Sequence, residues 1–175
     1  LQDRAGFMWF GTRDGLNRFD GYSFRVFRDD ADTPGSIGSS YVVSLAEDAN
    51  GIPWVGTYNG LFRYNGTDGA FEQVPFTHDT RATHLNFGPD GDLWMFLNGR
   101  LVKYNTQLDT YQTYSISENG NLTSLCLSPL GTVWITLSTG MLYELTVECG
   151  ELKGYDMFAN SPAASIRNLN RAYAS

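Results

Sequence analysis

The sequence predicts an all-β chain, a β-propeller of about four blades with four antiparallel strands in each. Three observations lead there. The four tryptophans, Trp9, Trp54, Trp94 and Trp134, fall at spacings of 45, 40 and 40 residues. A glycine stands three residues before each of them: Gly6, Gly51, Gly91 and Gly131. Four short apolar runs bounded by turn residues surround each tryptophan, and no stretch carries a helical apolar period. Four strands in a repeat of roughly 40 residues is the arithmetic of a propeller blade.

Each element of the unit has its own reason. The first strand is an apolar run, YVVSLAE, THLNF and LTSLCLS in units two to four, with Leu45, Leu85 and Leu125 six residues before the turn glycine. DANG, GPDG and SPLG follow, where Asp, Pro and Gly favour a chain reversal. The second strand, as in IPWVGT, is rich in β-branched and aromatic residues. TRDG and TYNG then set Asp-Gly and Asn-Gly between two strand runs, a strong hairpin signal. The third strand carries Leu16, Leu61, Leu101 or Met141 seven residues after the tryptophan, and Phe19, Tyr64 or Tyr104 ten after; the fourth unit breaks here with Glu144. YSFRVF, FEQVPF and TYQTYSI supply the fourth strand. A single such sheet cannot bury both faces, whereas sheets stacked about an axis cover one another, so the tryptophans read as core residues between blades. A β-sandwich of unrelated strands has no reason to repeat one tryptophan in register.

The repeat divides the chain into a first blade at about 1–30, then blades at 40–76, 82–116 and 122–158, and a spare segment at 164–175. The first blade lacks most of its first strand, since only LQD precedes RAGFMWFGT. In the spare segment Ile166 and Leu169 match Leu122 and Leu125 at one offset. Either that segment completes the first blade and closes a four-bladed ring, or the chain is an arc of a larger ring. An arc exposes sheet faces and edges that invite association, and two arcs would form a homodimer across a two-fold axis. Beginning at Leu1, the chain reads as a processed or excised piece.

A net charge of −7 argues against nucleic acid or an anionic membrane surface as a partner. No apolar run approaches the ~18 residues of a membrane-spanning helix, so no membrane insertion by this chain is expected. Two cysteines, Cys126 and Cys149, are too few for a disulfide framework. Cys126, inside LTSLCLS, reads as a small buried thiol; its pairing with Cys149 is left open.

The pattern W-x-G-T-x-x-G-L-x-R-[FY]-[DN] fits Trp9, Gly11, Thr12, Gly15, Leu16, Arg18, Phe19 and Asp20, and again Trp54, Gly56, Thr57, Gly60, Leu61, Arg63, Tyr64 and Asn65. It resembles the two-component regulator propeller repeat, found in the periplasmic sensor of hybrid two-component systems of gut bacteria. The resemblance spans the chain. It is strong in the first two units and weak in the last two, which lack Gly-Thr after Trp94 and Trp134. It implies the N-terminal part of a periplasmic sensor whose parent is anchored in the inner membrane. Intact members carry propellers, an immunoglobulin-like domain, a membrane helix, a histidine kinase core, a receiver and a DNA-binding output. Such sensors respond to oligosaccharides and switch on glycan-utilisation genes, and the propeller itself is not catalytic.

The candidate ligand residues follow from where propellers bind, at the loops between strands two and three and between successive blades. The first set holds Arg13 and Asp14, Tyr58 and Asn59, Asn98, and Ser138 with Thr139. Arg, Asp, Asn and Tyr offer the planar polar groups and aromatic faces that sugars use, although Asp14-Gly15 and Asn59-Gly60 are also what a tight turn requires. No catalytic constellation, cofactor or metal site is expected. His78 and His84 lack partners at metal-ligand spacing. Asp29, Asp30 and Asp32 fall short of a calcium loop and read as a solvated link. The alternatives to a non-catalytic oligosaccharide sensor are a propeller-type polysaccharide lyase or glycoside hydrolase, and a protein-interaction scaffold.

Overall fold

The computed structural model describes residues 1–66, 68–114, 120–146 and 151–155. The expected closing segment 164–175, the end of the fourth expected blade and Cys149 lie outside the described residues. Two compact units divide the chain, Leu1–Ile116 and Ser117–Ser175.

The first unit holds three antiparallel meanders. The first sheet is β1 (Met8–Thr12), β2 (Gly15–Phe19) and β3 (Phe24–Phe27). Ahead of it, Gln2 bridges to Met8, and the Trp9 N–H donates to the Leu1 carbonyl at 2.7 Å. The second sheet is β4 (Val42–Glu47), β5 (Pro53–Thr57), β6 (Gly60–Asn65) and β7 (Ala70–Gln73). A 3-10 turn at Pro75–Thr77 leads to the third sheet, β8 (Ala82–Phe87), β9 (Leu93–Leu97), β10 (Arg100–Asn105) and β11 (Thr110–Tyr114). The second unit is one sheet, β12 (Leu122–Leu127), β13 (Val133–Leu137), β14 (Leu142–Thr146) and β15 (Glu151–Tyr155).

Within the first unit the sheets pack face to face. Trp9, Leu16 and Phe27 of the first sheet close on Val55, Phe62, Tyr64 and Phe71 of the second. Trp54 and Leu61 of the second close on Leu85, Leu93, Met95, Val102 and Tyr104 of the third. The W-x-G motif serves this contact. A Cβ on Gly11 would stand 2.5 Å from Val42 Cγ1, and one on Gly56 would overlap the Ala82 carbonyl oxygen. The third and fourth sheets carry Phe96 and Thr136 at that position. The linkers are anchored as well. Ile37, in the acidic link, is fully buried. Phe76, from the 3-10 turn, stacks on Tyr111 at 4.1 Å. In the second unit Leu125, Val133, Ile135, Leu137, Tyr143 and Leu145 are buried.

The turn before each tryptophan follows one plan. The glycine N–H donates to the carbonyl three residues earlier, from Gly6 to Asp3, Gly51 to Asp48, Gly91 to Gly88 and Gly131 to Ser128. These glycines have φ of 80–93°, the left-handed region that a side chain disfavours. In the first two turns a carboxylate completes the plan: the indole N–H of Trp9 donates to Asp3 at 2.6 Å and that of Trp54 to Asp48 at 3.2 Å. Across the next strand lies a cation, with Arg18, Arg63 and Lys103 over the rings of Trp9, Trp54 and Trp94 at 5.7, 6.0 and 5.5 Å. Where Gly88 omits the carboxylate, Lys103 instead ties the turn through Asp90 at 2.8 Å and Asp92 at 3.0 Å.

Two expectations change. The Asp-Gly and Asn-Gly turns are shifted by one residue. Arg13-Asp14 and Tyr58-Asn59 form the two-residue loops, and Gly15 and Gly60 already pair with Thr12 and Thr57. The reason is the threonine: Thr12 Oγ1 donates to the Gly15 carbonyl and accepts the Asp14 N–H, and Thr57 does the same with Gly60 and Asn59. Only in the third sheet, which lacks that threonine, does Asn98-Gly99 form the loop itself, both residues with positive φ. Second, Cys126 is exposed, not buried. Its register partner is Trp134, as Ala46 is partner to Trp54. Ala46 is buried because the third sheet covers it; no described sheet covers Cys126 in the same way.

Candidate functional site

The hairpin between the second and third strands is held against the segment entering the same sheet by a recurring hydrogen bond. Tyr58 N–H donates to the Tyr41 carbonyl at 3.2 Å, Asn98 to Arg81 at 3.2 Å, and Ser138 to Asn121 at 2.7 Å. Tyr41, Arg81 and Asn121 are thus equivalent positions, each four residues before the buried or half-buried leucine of its strand. A β-bulge follows in each first strand, between Val42 and Ser44, Thr83 and Asn86, and Leu122 and Ser124. In the third sheet it frees the Leu85 N–H, which Ser44 Oγ of the second sheet accepts at 2.9 Å.

In the first unit side chains from all three sheets line up along these hairpins. The Arg13 guanidinium lies over the Tyr41 ring, 5.5 Å from its centroid. Tyr41 meets Tyr58 at 4.2 Å between centroids, tilted by 55°. Arg81 lies over Tyr58 at 4.6 Å. Asn98 Oδ1 accepts the Arg81 N–H at 3.1 Å, the reciprocal of the bond above. Arg13, Arg81 and Asn98 are exposed, Tyr58 is 46% exposed, and Tyr41 is half-buried. The result is an open row of cation, ring, ring, cation and amide, suited to a polar ligand with several hydrogen-bonding groups.

Of the residues expected from sequence, Arg13, Tyr58 and Asn98 stand in this row. Asp14 and Asn59 turn to the scaffold. Asp14 pairs with Arg28 at 2.8 Å, whose hydrogen bond and charge hold the Asp14 carboxyl below the usual carboxylate range. The Asn59 side chain donates to the Gly38 carbonyl at 2.9 Å, and its own carbonyl accepts from Gln73 at 2.8 Å. Ser138 and Thr139 lie on the equivalent hairpin of the second unit. Tyr41 and Arg81 escaped the sequence reading. Their common offset from Leu45 and Leu85 was the available signal, but nothing local marks a residue entering a strand as facing a neighbouring hairpin.

The other sequence candidates have separate surroundings. His78 pairs with Asp79 at 3.0 Å on the surface, while His84 Nδ1 lies 2.9 Å from Thr83 Oγ1. Asp30 accepts from Thr33 Oγ1 at 2.5 Å and from the Asp32 N–H at 3.0 Å, bonds that lower its pKa and staple the link. A cleft of about 360 Å³ opens beside the Asp48 turn, lined by Trp54, Arg63, Glu72, Tyr104 and Asp109 among others. Its acids serve the fold: Asp48 holds Trp54, and Asp109 accepts from the Tyr104 hydroxyl at 2.8 Å. Among the described residues, no three His, Cys, Asp or Glu side chains gather to hold a metal ion.

Tandem antiparallel meanders of three or four strands, each with the same turn and tryptophan, are the blades of a β-propeller. Solved structures agree on that fold. The extracellular domain of a hybrid two-component system of B. thetaiotaomicron matches with a TM-score of 0.77 at 20% identity, over 93% of this chain and 22% of that one. A second such domain from the same organism matches at 0.72 and 20% identity, over 84% and 21%. A catalytically inactive virginiamycin B lyase from Staphylococcus aureus matches at 0.70 and 13% identity, over 92% and 55%. In sequence, 36 residues are 50% identical to histidine kinase P4 of Formosa agariphila, which is 21% of this chain and 3% of that protein. No family model matches. The chain thus spans about a fifth of each extracellular domain and a small part of the kinase.

Proposed function

We propose that this chain is part of the periplasmic sensor region of a hybrid two-component signalling protein, and that the hairpin face of its blades recognises an oligosaccharide to control glycan-utilisation genes. The row Arg13–Tyr41–Tyr58–Arg81–Asn98 carries this reading, since three successive blades contribute to it, the second and third through one repeated backbone arrangement. The fold shared with extracellular domains of hybrid two-component systems supports the sensor role and a location outside the cytoplasm. Among the described residues no helix is long and apolar enough to cross a membrane.

A thermal-denaturation screen against a broad oligosaccharide panel tests the reading. A ligand that binds only the folded chain stabilises it, by about 2.7 kcal/mol at a hundred times its Kd. A raised Tm that Tyr58→Ala abolishes supports the site. No shift across the panel removes it. Catalysis on the same sugars, by a propeller-type lyase or glycoside hydrolase, is the second reading; product release in the same panel would favour it over sensing.

The exposed face of the first sheet bears on assembly. Phe10, Phe24 and Val26 are 43%, 60% and 43% exposed, and Phe24 packs against Phe10 and Phe19 at 6.1 and 4.7 Å. The register equivalents of Phe10 and Phe24 in the second sheet, Val55 and Phe71, are covered by the first sheet. In the separate chain this face is a homodimer contact.

A further inference from the structure

The two arginines of the row constrain the kind of sugar it suits. A guanidinium lying on an aromatic ring uses its flat face there and leaves its N–H edge free for a planar anion. The guanidinium carbons of Arg13 and Arg81 lie over the Tyr41 and Tyr58 rings, 5.5 and 4.6 Å from the centroids, where a guanidinium can take up that arrangement. A neutral sugar stacking on those ring faces would displace the guanidinium groups. A carboxylate or sulfate meets their edges and leaves the stack in place, with charge-assisted and often bidentate hydrogen bonds.

The charge balance points the same way. Among the described residues, Arg13 and Arg81 have no carboxylate partner. Each has an acid close in sequence, and each acid is bonded elsewhere: Asp14 to the Arg28 guanidinium at 2.8 Å, and Asp79 to the His78 ring, which offsets its charge only when protonated, at 3.0 Å. By contrast, Lys103 holds two carboxylates. Two uncompensated cations therefore share one exposed row on a chain of net charge −7. Long-range repulsion disfavours anions on such a chain, so an anion site on it needs local positive charge of this kind.

We propose that the row binds an acidic oligosaccharide, with the N–H edges of Arg13 and Arg81 on its carboxylate or sulfate groups and Tyr41 and Tyr58 holding those edges in place. This rests on the reading that the row is an oligosaccharide site. Tyr41 and Arg81 become specificity-determining residues, and Asn98 fixes Arg81 through its backbone.

The test is titration calorimetry on the full 175-residue chain with trigalacturonic acid, a sulfated chondroitin disaccharide and neutral galactotriose. The expected result is binding of an acidic probe, weakened by added salt, and weakened about tenfold or more by Arg81→Gln or Arg13→Gln. Arg81→Lys keeps the charge without the planar fork, so it falls between wild type and Arg81→Gln. Thermal melts confirm that each variant folds. Binding of trigalacturonic acid alone assigns a carboxylate as the recognised group; binding of the sulfated disaccharide alone assigns a sulfate ester. Equal binding of galactotriose, or equal loss of neutral and acidic binding in Arg81→Gln, overturns the proposal and leaves the oligosaccharide reading intact. No binding of either acidic probe also overturns it; the oligosaccharide reading falls as well only if the broad panel gives no thermal shift.

Discussion

Replacing Asp48 with alanine removes one carboxylate that serves three donors. It accepts the backbone N–H groups of Asn50 and Ile52, each at 2.9 Å, and the indole N–H of Trp54 at 3.2 Å. Asn50 is exposed, and water replaces its bond at little cost. The other two donors are covered: Ile52 packs against the core between the second and third sheets, and Trp54 is 3% exposed. A hydrogen bond to a charged acceptor contributes roughly 1.5–3 kcal/mol, and a buried donor left without a partner costs about 1–3 kcal/mol. With both donors incompletely sealed from solvent, Asp48→Ala is expected to cost about 3 kcal/mol. At roughly 3 °C per kcal/mol for a chain of this size, Tm falls by about 10 °C. Asp48→Asn keeps one acceptor oxygen and is expected to lose about half as much. Urea unfolding followed by tryptophan fluorescence and by circular dichroism measures both. If Asp48→Ala unfolds within roughly 0.5 kcal/mol of the wild type, the change expected of an ordinary surface site, then the carboxylate–indole bond is not a support of the blade and the reasoning is refuted.

Further expectations follow from the same contacts. Gly56→Ala forces a methyl group onto the Ala82 backbone carbonyl and should cost about 3 kcal/mol, whereas the closest contact of Gly11→Ala is Val42 Cγ1, which rotation relieves in part while Val42 Cβ stays at 3.2 Å, and the change should cost about 1.5 kcal/mol; equal melting temperatures would contradict this. The Tyr104 phenol is pushed up from 10.0 to about 12, by burial first and then by its hydrogen bond to Asp109. The folded chain therefore holds that proton more tightly than the unfolded chain. Its contribution is intact below pH 10 and is lost as pH rises towards 12. Tyr104→Phe should accordingly flatten the alkaline limb of the stability–pH curve, and an unchanged limb would exclude Tyr104 as its source. Light scattering coupled to size-exclusion chromatography should find a dimer of the 19.5 kDa chain that Phe24→Asp reduces to a monomer; a monomeric wild type would remove the first-sheet face as a contact.

The tryptophan repeat made the strand order, the turn glycines and the all-β class legible, because those depend on contacts within one blade and on residues a few positions apart. The Thr12 and Thr57 motif was legible too, but its consequence was not. Asp-Gly and Asn-Gly look like the loops themselves, and the threonine hydroxyl moves the loop one residue earlier. The Asp48–Trp54 bond escaped notice because an acid six residues before a tryptophan looks like turn chemistry until the indole is seen turned back over it. Cys126 shows the opposite failure. Its apolar surroundings in sequence predict burial, yet burial needs a neighbouring sheet, which a local pattern cannot supply.

By itself, then, the sequence determined that this protein is a chain of repeated β-meanders whose cores are set by tryptophan, leucine and glycine. Short-range spacing decides which face of a strand a residue occupies. Only the tertiary structure decided that Arg13, Tyr41, Tyr58, Arg81 and Asn98 form one row while Asp14 and Asn59 do not. That choice depends on hydrogen bonds joining each hairpin to the segment entering its sheet and on how far apart adjacent sheets pack, and both span stretches of chain longer than any local pattern reports.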